Sequence, residues 1–409
     1  MSALPLSGIK ILDLTRVLAG PLSAQVLGDL GAEVIKIERP GTGDDVRTLD
    51  PPYLTDPEGK ANNNNSFYLC ANRNKKSVTV NIAKPEGQQI IRQLAKDVDV
   101  FMENYKVGDL KRYGLDYETI KKINPGIIYC SVTGFGQTGP YASRPGYDAI
   151  FQAMGGLMSV TGHVDGEPGA GSMKVGPSIV DYMTGMNTSI GILSALYHRK
   201  VNGGQGQHVD VCLLDTVIAS LSHYLQIYLL NGKIPPRRGT WGNGGLPAGV
   251  FRCVDGELML VVGNDGQFAR TCAVLGATEL ATNPKFINNN DRVVNGKEIM
   301  AIFAGLFLKE TVAHWLEKLE EAGIPCGPVN DFAQVFADPH VQERGIRVKV
   351  KHKFEPELSL IRNALTFSET PVTEYRAPPL LGEHTCEILS AKLAYDNATI
   401  AALKQNGAI

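Results

Sequence analysis

Residues 8–38, GIKILDLTRVLAGPLSAQVLGDLGAEVIKIE, decide the fold. Ile9–Leu14 is a short apolar run bounded by Gly8 and Thr15, the length of a buried strand. Leu22, Val26, Leu27 and Leu30 then recur at helical spacing, with Pro21 suited to a first turn and Gly31 to a stop. Glu33–Glu38 reads as a second strand. Strand, helix and strand in this order form a βαβ unit, whose right-handed crossover makes the strands parallel neighbours. Working outward, Ser77–Ile82, a helix around Gly87–Lys96, Val98–Glu103 and Gly126–Val132 repeat the alternation. The pattern predicts an α/β fold with a Rossmann-like, doubly wound parallel sheet.

From Pro177 to Tyr228 the pattern turns helical, with Ile190, Leu193, Leu196 and Tyr197 on one face and Val217 to Leu230 on another. Residues 232–249 are rich in Gly, Pro and Arg. Beyond them Val250–Val262 predicts a hairpin around Asp255-Gly256, and Thr311–Glu321 an amphipathic helix. The expected organisation is a large domain over 1–230, a linker over 231–249 and a smaller α+β domain over 250–325. A second linker over 326–345 leads to a return to the large domain over 346–409. The stretch Pro40–Asn65, with several Gly and Pro residues and Asn62–Asn65, reads either as a functional loop or as a solvated excursion.

The bulk composition excludes several function classes. With a formal charge of -2 the chain carries no electrostatic footprint for nucleic acid. Its cysteines (Cys70, Cys130, Cys212, Cys253, Cys272, Cys326, Cys386) are scattered without a C-x-x-C pair, which points to reduced thiols. Residues 1–14 lack a basic n-region and a cleavage site. No apolar run approaches the roughly 18–20 residues that span a bilayer. The expectation is a cytoplasmic protein with no membrane partner.

Common chemistries fail one by one. The turn after the first strand, Thr15–Gly20, is not G-x-G-x-x-G, and neither a Walker A motif nor a G-x-S-x-G elbow occurs. No two histidines fall in H-x-x-x-H spacing, so neither a metal nor a nucleotide cofactor is expected. What remains are polar residues at the carboxyl ends of predicted strands: Arg16, Arg39, Asn104-Tyr105-Lys106 and Thr133–Gln137. Open α/β sheets bind ligands there, and basic and amide groups suit a phosphorylated one. Each alone reads equally as a solvated loop residue. Asp181 precedes a helical run, with Thr184 a turn later, so its neighbours alone make it a helix N-cap.

Taken in order, several blocks are similar to one family. They are Leu12–Pro21, Leu30–Glu38, Asn72–Ser77, Glu103–Tyr105, Gly134–Pro140, the segment around Asp181, and Pro378–Thr385. Over essentially its whole length the chain resembles the class III CoA-transferases of the CaiB/BaiF type, which include formyl-CoA, carnitine and dicarboxylate CoA-transferases. The resemblance implies coenzyme A as co-substrate, an acyl-CoA and a free carboxylic acid as partners, and an interlocked homodimer of ring-like chains. Position by position, Asp181 matches the aspartate nucleophile. Arg16, Val17, Leu18, Ala19, Arg39, Asn72, Asn74, Lys75, Asn104, Tyr105, Lys106, Arg112 and Gln137 match positions lining the CoA site. Gly263, Gly266 and Gln267 match a glycine-rich loop that closes over the active carboxylate, although Asn264 and Asp265 replace glycines of the formyl-CoA transferase pattern.

Gly43–Thr48 and Arg144–Asp148 look most like the succinate–hydroxymethylglutarate branch. That implies a dicarboxylate acceptor and succinyl-CoA as donor, with Arg47 a candidate for the distal carboxylate. Two alternatives stand beside transfer: an α-methylacyl-CoA racemase and a non-catalytic acyl-CoA-binding protein. Racemases of this superfamily place a histidine where this chain has Tyr147, and a phenol with a pKa of about 10 is a poor base at neutral pH.

Overall fold

The computed structural model describes residues 3–49, 52–55, 58, 59, 61–242 and 244–409. Pro51 and Pro57 of the Pro40–Asn65 stretch, and Asn243 between residues 231 and 249, lie outside the described residues. The chain folds into two compact units. The first comprises Met1–Leu157, Val175–Leu229 and Arg344–Ile409, the second Met158–Lys174 and Leu230–Glu343.

In the first unit β1 (Lys10–Asp13), α1 (Ala19–Asp29) and β2 (Glu33–Glu38) realise the expected βαβ unit. The chain continues through β3 (Lys75–Thr79), α2 (Pro85–Ala95), β4 (Val100–Glu103), β5 (Ile128–Thr133), α3 (Asp148–Met154), α4 (Ile179–Val201) and β6 (Gln207–Cys212). These six strands form one sheet in which every pair is parallel, in the order β3-β2-β1-β4-β5-β6. That is the order of doubly wound sheets, with the switch point between β1 and β4.

Side chains alternate across a strand, so the two faces bury separate cores. Leu12, Ile35, Phe101 and Tyr129 pack with Ile90 and Leu94 of α2 and with Ile388 and Leu403 of the C-terminal helices. Ile11, Val34, Val100 and Ile128 pack against Ala24 and Leu27 of α1 and Ile192 and Leu196 of α4.

The units depart from the expected domain bounds, since residues 158–174 and 326–343 fall in the second unit rather than in the large domain and a linker. Two further details differ from the sequence reading. β6 is a strand inside the stretch read as helical throughout. It is an edge strand with only one neighbour, and its alternating His208, Val209, Asp210 and Val211 interrupt two strongly helical segments. The asparagine run is only half solvated: Asn63 is exposed, but Asn64 and Asn65 are buried. Asn65 caps a short helix by accepting from the Tyr68 N–H at 2.9 Å, while its Nδ2 donates to Val46 O at 2.7 Å.

The second unit is built on a three-stranded antiparallel sheet. Its hairpin is β7 (Ala248–Arg252) and β8 (Glu257–Val261), with Cys326–Pro328 pairing on the other side of β8. Leu258 and Leu260 pack against Phe251, Phe268, Phe303, Phe307 and Trp315. The Trp315 indole N–H, buried here, donates to Phe307 O at 2.9 Å. Among the described residues no single helix is long and apolar enough to cross a membrane.

Candidate active site

The loop after β1 is held from several sides. Thr15 donates to Asp13 through both its N–H, at 2.9 Å, and its hydroxyl. Burial pushes the Asp13 carboxyl up, but the Lys75 and Lys36 ammoniums outweigh it and hold the group below its ordinary value. Lys36, itself fully buried, donates to Thr15 O and to Asp44, both at 2.8 Å. Val17 follows in a left-handed conformation, φ 69°, and its N–H donates to Asp44 Oδ1 at 3.0 Å. A β-branched residue is rarely found there, and such a conformation costs about 1–3 kcal/mol.

Asp181 enters from the opposite wall. It is the third residue of α4, so the helix begins two residues before the N-cap position suggested by its neighbours. The capping is done by Asp148 of α3, whose Oδ2 accepts from the N–H groups of Val180 at 2.7 Å and Asp181 at 3.1 Å. No hydrogen bond to the Asp181 carboxylate is found among the described residues. Burial, and secondarily the charge of Asp148, push its carboxyl up to about 7. Helix α4 can approach α1 closely because residue 185 is glycine: a Cβ there would stand 2.8 Å from Ala19 O. One turn further, Ser189 and Ser23 share a hydrogen bond of 2.9 Å.

Between these walls lies a cavity of about 200 Å³, at the carboxyl ends of β1, β4 and β5. It brings together Arg16, Val17, Leu18, Ala19, Asn104, Tyr105, Lys106, Tyr147 and Asp181. Arg16 is tied to Asp45 at 2.9 Å and lies over the Tyr105 ring. Tyr147 is 72% exposed at the rim. Thr133 and Gly134, from the strand-end stretch Thr133–Gln137, also line the cavity, as do Arg144 and Leu213, which were not among the site residues expected from sequence. The Arg144–Asp148 block contained the signal for Arg144, and no block quoted from the sequence contained Leu213.

Other expected residues lie elsewhere. Arg47 is fully buried: Nε and Nη2 fork onto Glu38 at 2.7 and 2.9 Å, and Nη1 donates to Asn64 Oδ1 at 2.9 Å. With its ring of donors taken and Tyr68 against its face, it has nothing left for a substrate carboxylate. Asn72, Asn74 and Lys75 sit at or just before the amino end of β3 and line no part of the cavity. Asn72 and Lys75 are buried, with Lys75 Nζ shared among Asp13, Pro21 O and Asn72 Oδ1. Asn74 donates to Asp29 at 2.7 Å.

Arg39 and Arg112 are exposed and line no part of the cavity, and Arg112 leans over Tyr113. The Gln137 N–H donates to Asp210 at 2.8 Å. In the second unit Gly263–Gln267 is the capped start of a helix rather than an open loop. Asn264 Oδ1 accepts from the Gln267 N–H at 2.9 Å, Gln267 Oε1 accepts from the Gly263 N–H at 2.7 Å, and buried Arg292 holds Asp265 at 2.7 Å.

The sequence profile of CoA-transferase family III matches residues 6–385. A human succinyl-CoA:glutarate CoA-transferase is 43% identical over 405 residues, covering 99% of this chain and 90% of the relative. A succinate–glutarate CoA-transferase of Agrobacterium fabrum is 42% identical over 386 residues, covering 94% of this chain and 95% of the relative. The crystal structure of a CAIB/BAIF family protein from Brucella suis superposes with a TM-score of 0.85 at 39% identity, covering 96% of this chain and all of that one. A strand order with its switch point at the cavity, a half-buried carboxylate inside it and these matches agree: the chain belongs to CoA-transferase family III and is a CoA-transferase.

Proposed function

We propose that this enzyme takes CoA from succinyl-CoA and passes it to a small dicarboxylic acid, with Asp181 carrying the CoA as a thioester between the two half-reactions. The observation that carries the reading is the Asp181 carboxylate, without a hydrogen-bond partner among the described residues, inside the cavity at the sheet's switch point. A cavity of about 200 Å³ suits the acyl–thioester end of the donor and not the whole of CoA. Arg16–Ala19 and Asn104–Lys106 form its CoA-side wall, and Tyr147 stands where the acid enters. The acids named for the two glutarate transferases described above support succinate and glutarate as the exchanged pair.

In the first half-reaction the Asp181 carboxylate attacks the succinyl-CoA carbonyl and expels CoA thiolate, leaving a mixed anhydride. The thiolate attacks the aspartyl carbonyl of that anhydride, releasing succinate and forming the aspartyl-CoA thioester. The acceptor carboxylate then displaces CoA thiolate from Asp181, giving a second anhydride. Attack of the thiolate on the acceptor's carbonyl yields the new acyl-CoA and restores the Asp181 carboxylate. One thioester is exchanged for another, so no outside energy source enters.

A second copy of the chain is part of the proposal. Tyr182, Ile190, Tyr197 and Leu229 are exposed apolar side chains of the kind a homodimer covers. Initial rates with succinate, glutarate, itaconate, malate and oxalate as acceptors test the substrate class. Exclusive use of a monocarboxylate such as carnitine overturns it, and full exchange by Asp181→Ala overturns the mechanism.

A further inference from the structure

We infer that Asn104 is a positioning residue for CoA transfer: its side chain holds the Arg16–Ala19 wall of the cavity in a backbone shape which that wall's own sequence disfavours. The inference rests on the reading of the Asp181 cavity as the site of transfer.

The Asn104 amide is engaged with backbone at both ends. Its Oδ1 accepts from the Arg16 N–H at 2.9 Å, and its Nδ2 donates to Arg16 O at 2.7 Å. This two-point clamp grips the residue before Val17, whose φ of 69° a β-branched side chain rarely adopts. Val17 is pinned again by its N–H to Asp44 at 3.0 Å, and Asp44 is fixed by buried Lys36, which also holds Thr15 O. The clamping groups come from the loop after β4, from the turn after β2 and from β2 itself. A disfavoured conformation persists where its surroundings over-determine it, and here they do so beside the reacting carboxylate.

Leu18 and Ala19 line the cavity with Asp181 immediately beyond Val17. Released from Asn104, Val17 returns to negative φ and swings them out of register. Asn104 thus acts through the wall, on the alignment of acyl group and nucleophile, while the rest of the CoA-side surface stays in place.

The test uses the full chain with succinyl-CoA and glutarate. Asn104→Ala lowers kcat on the order of 100-fold, the scale of a small misplacement of reacting groups, with KM for succinyl-CoA changed less than about threefold. The decisive arm repeats the change in a Val17→Gly background. Glycine takes the left-handed conformation without steric cost, so the loss caused by Asn104→Ala shrinks there to under about tenfold, a coupling that independent sites do not show. Equal losses in both backgrounds, or wild-type kcat in Asn104→Ala, overturn the inference.

Asn104→Asp keeps the acceptor for the Arg16 N–H but turns a carboxylate oxygen on Arg16 O in place of the donated N–H, so it also lowers kcat, and it replaces the alanine variant if that variant does not fold. Asp181→Ala is assayed alongside. Wild-type turnover by Asp181→Ala sinks the underlying site assignment. An inactive Asp181→Ala beside an unaffected Asn104→Ala sinks only the positioning role.

Discussion

The ionisation of Asp181 gives a prediction with a worked magnitude. Burial, with the Asp148 charge as the smaller cause, holds its carboxyl up at about 7. Only the carboxylate can attack a thioester, so about half the free enzyme is active at pH 7 and about one molecule in a hundred at pH 5. Because kcat/KM reports the free enzyme, its value for succinyl-CoA should fall about tenfold per pH unit below 7, or about 1.4 kcal/mol per unit. Above pH 8 it should level off. The assay is acyl-CoA formation at subsaturating succinyl-CoA between pH 5 and 8.

Asp148→Asn removes the like charge and leaves the burial. Its inflection should move to lower pH yet stay above the ordinary carboxylate range near 4. A wild-type profile that is flat between pH 5 and 7 refutes the argument, since an ordinary carboxylate is fully ionised there.

Further outcomes follow from the same contacts. The raised Asp181 pKa means that the folded state binds this proton more tightly than the unfolded state. The resulting destabilisation is absent below about pH 4, grows as pH rises from there to about 7 and saturates above it. Urea unfolding should therefore find Asp181→Asn more stable than wild type by about 2–4 kcal/mol at pH 8 and by almost nothing at pH 4. Arg47→Ala leaves Glu38 charged and unpaired in the interior, which should cost about 3–5 kcal/mol in the same measurement. Gly185→Ala places a methyl 2.8 Å from Ala19 O. It should lower stability by about 1–3 kcal/mol by overpacking and reduce kcat by moving α4 away from α1.

The parts of the molecule that were legible in the sequence are those whose physics is local and periodic. The β1-α1-β2 unit is written in the spacing of Ile11, Leu12, Leu22, Val26, Val34 and Ile35, because burial on one face leaves a period in the chain. The edge strand β6 was hidden because its short alternation lies between two longer helical patterns. Sequence also shows a charge without showing which way it points. Arg47, Asn72 and Lys75 carry groups suited to ligands, yet each is drawn inward by a partner distant in the fold: Glu38, Tyr68 O and Asp13.

The walls of the site were recognisable as family blocks, but their tension was not. The left-handed Val17 depends on Asp44 and Asn104, and the start of α4 depends on Asp148, 33 residues before Asp181. No local window of sequence contains those pairings.

The most direct test of the central claim is mass spectrometry of the protein after incubation with succinyl-CoA and borohydride. The account predicts reduction of an aspartyl thioester, localised by peptide mapping to Asp181 and absent from Asp181→Ala. An unmodified Asp181 in protein that is turning over, or a reduced adduct at any other residue, would contradict it.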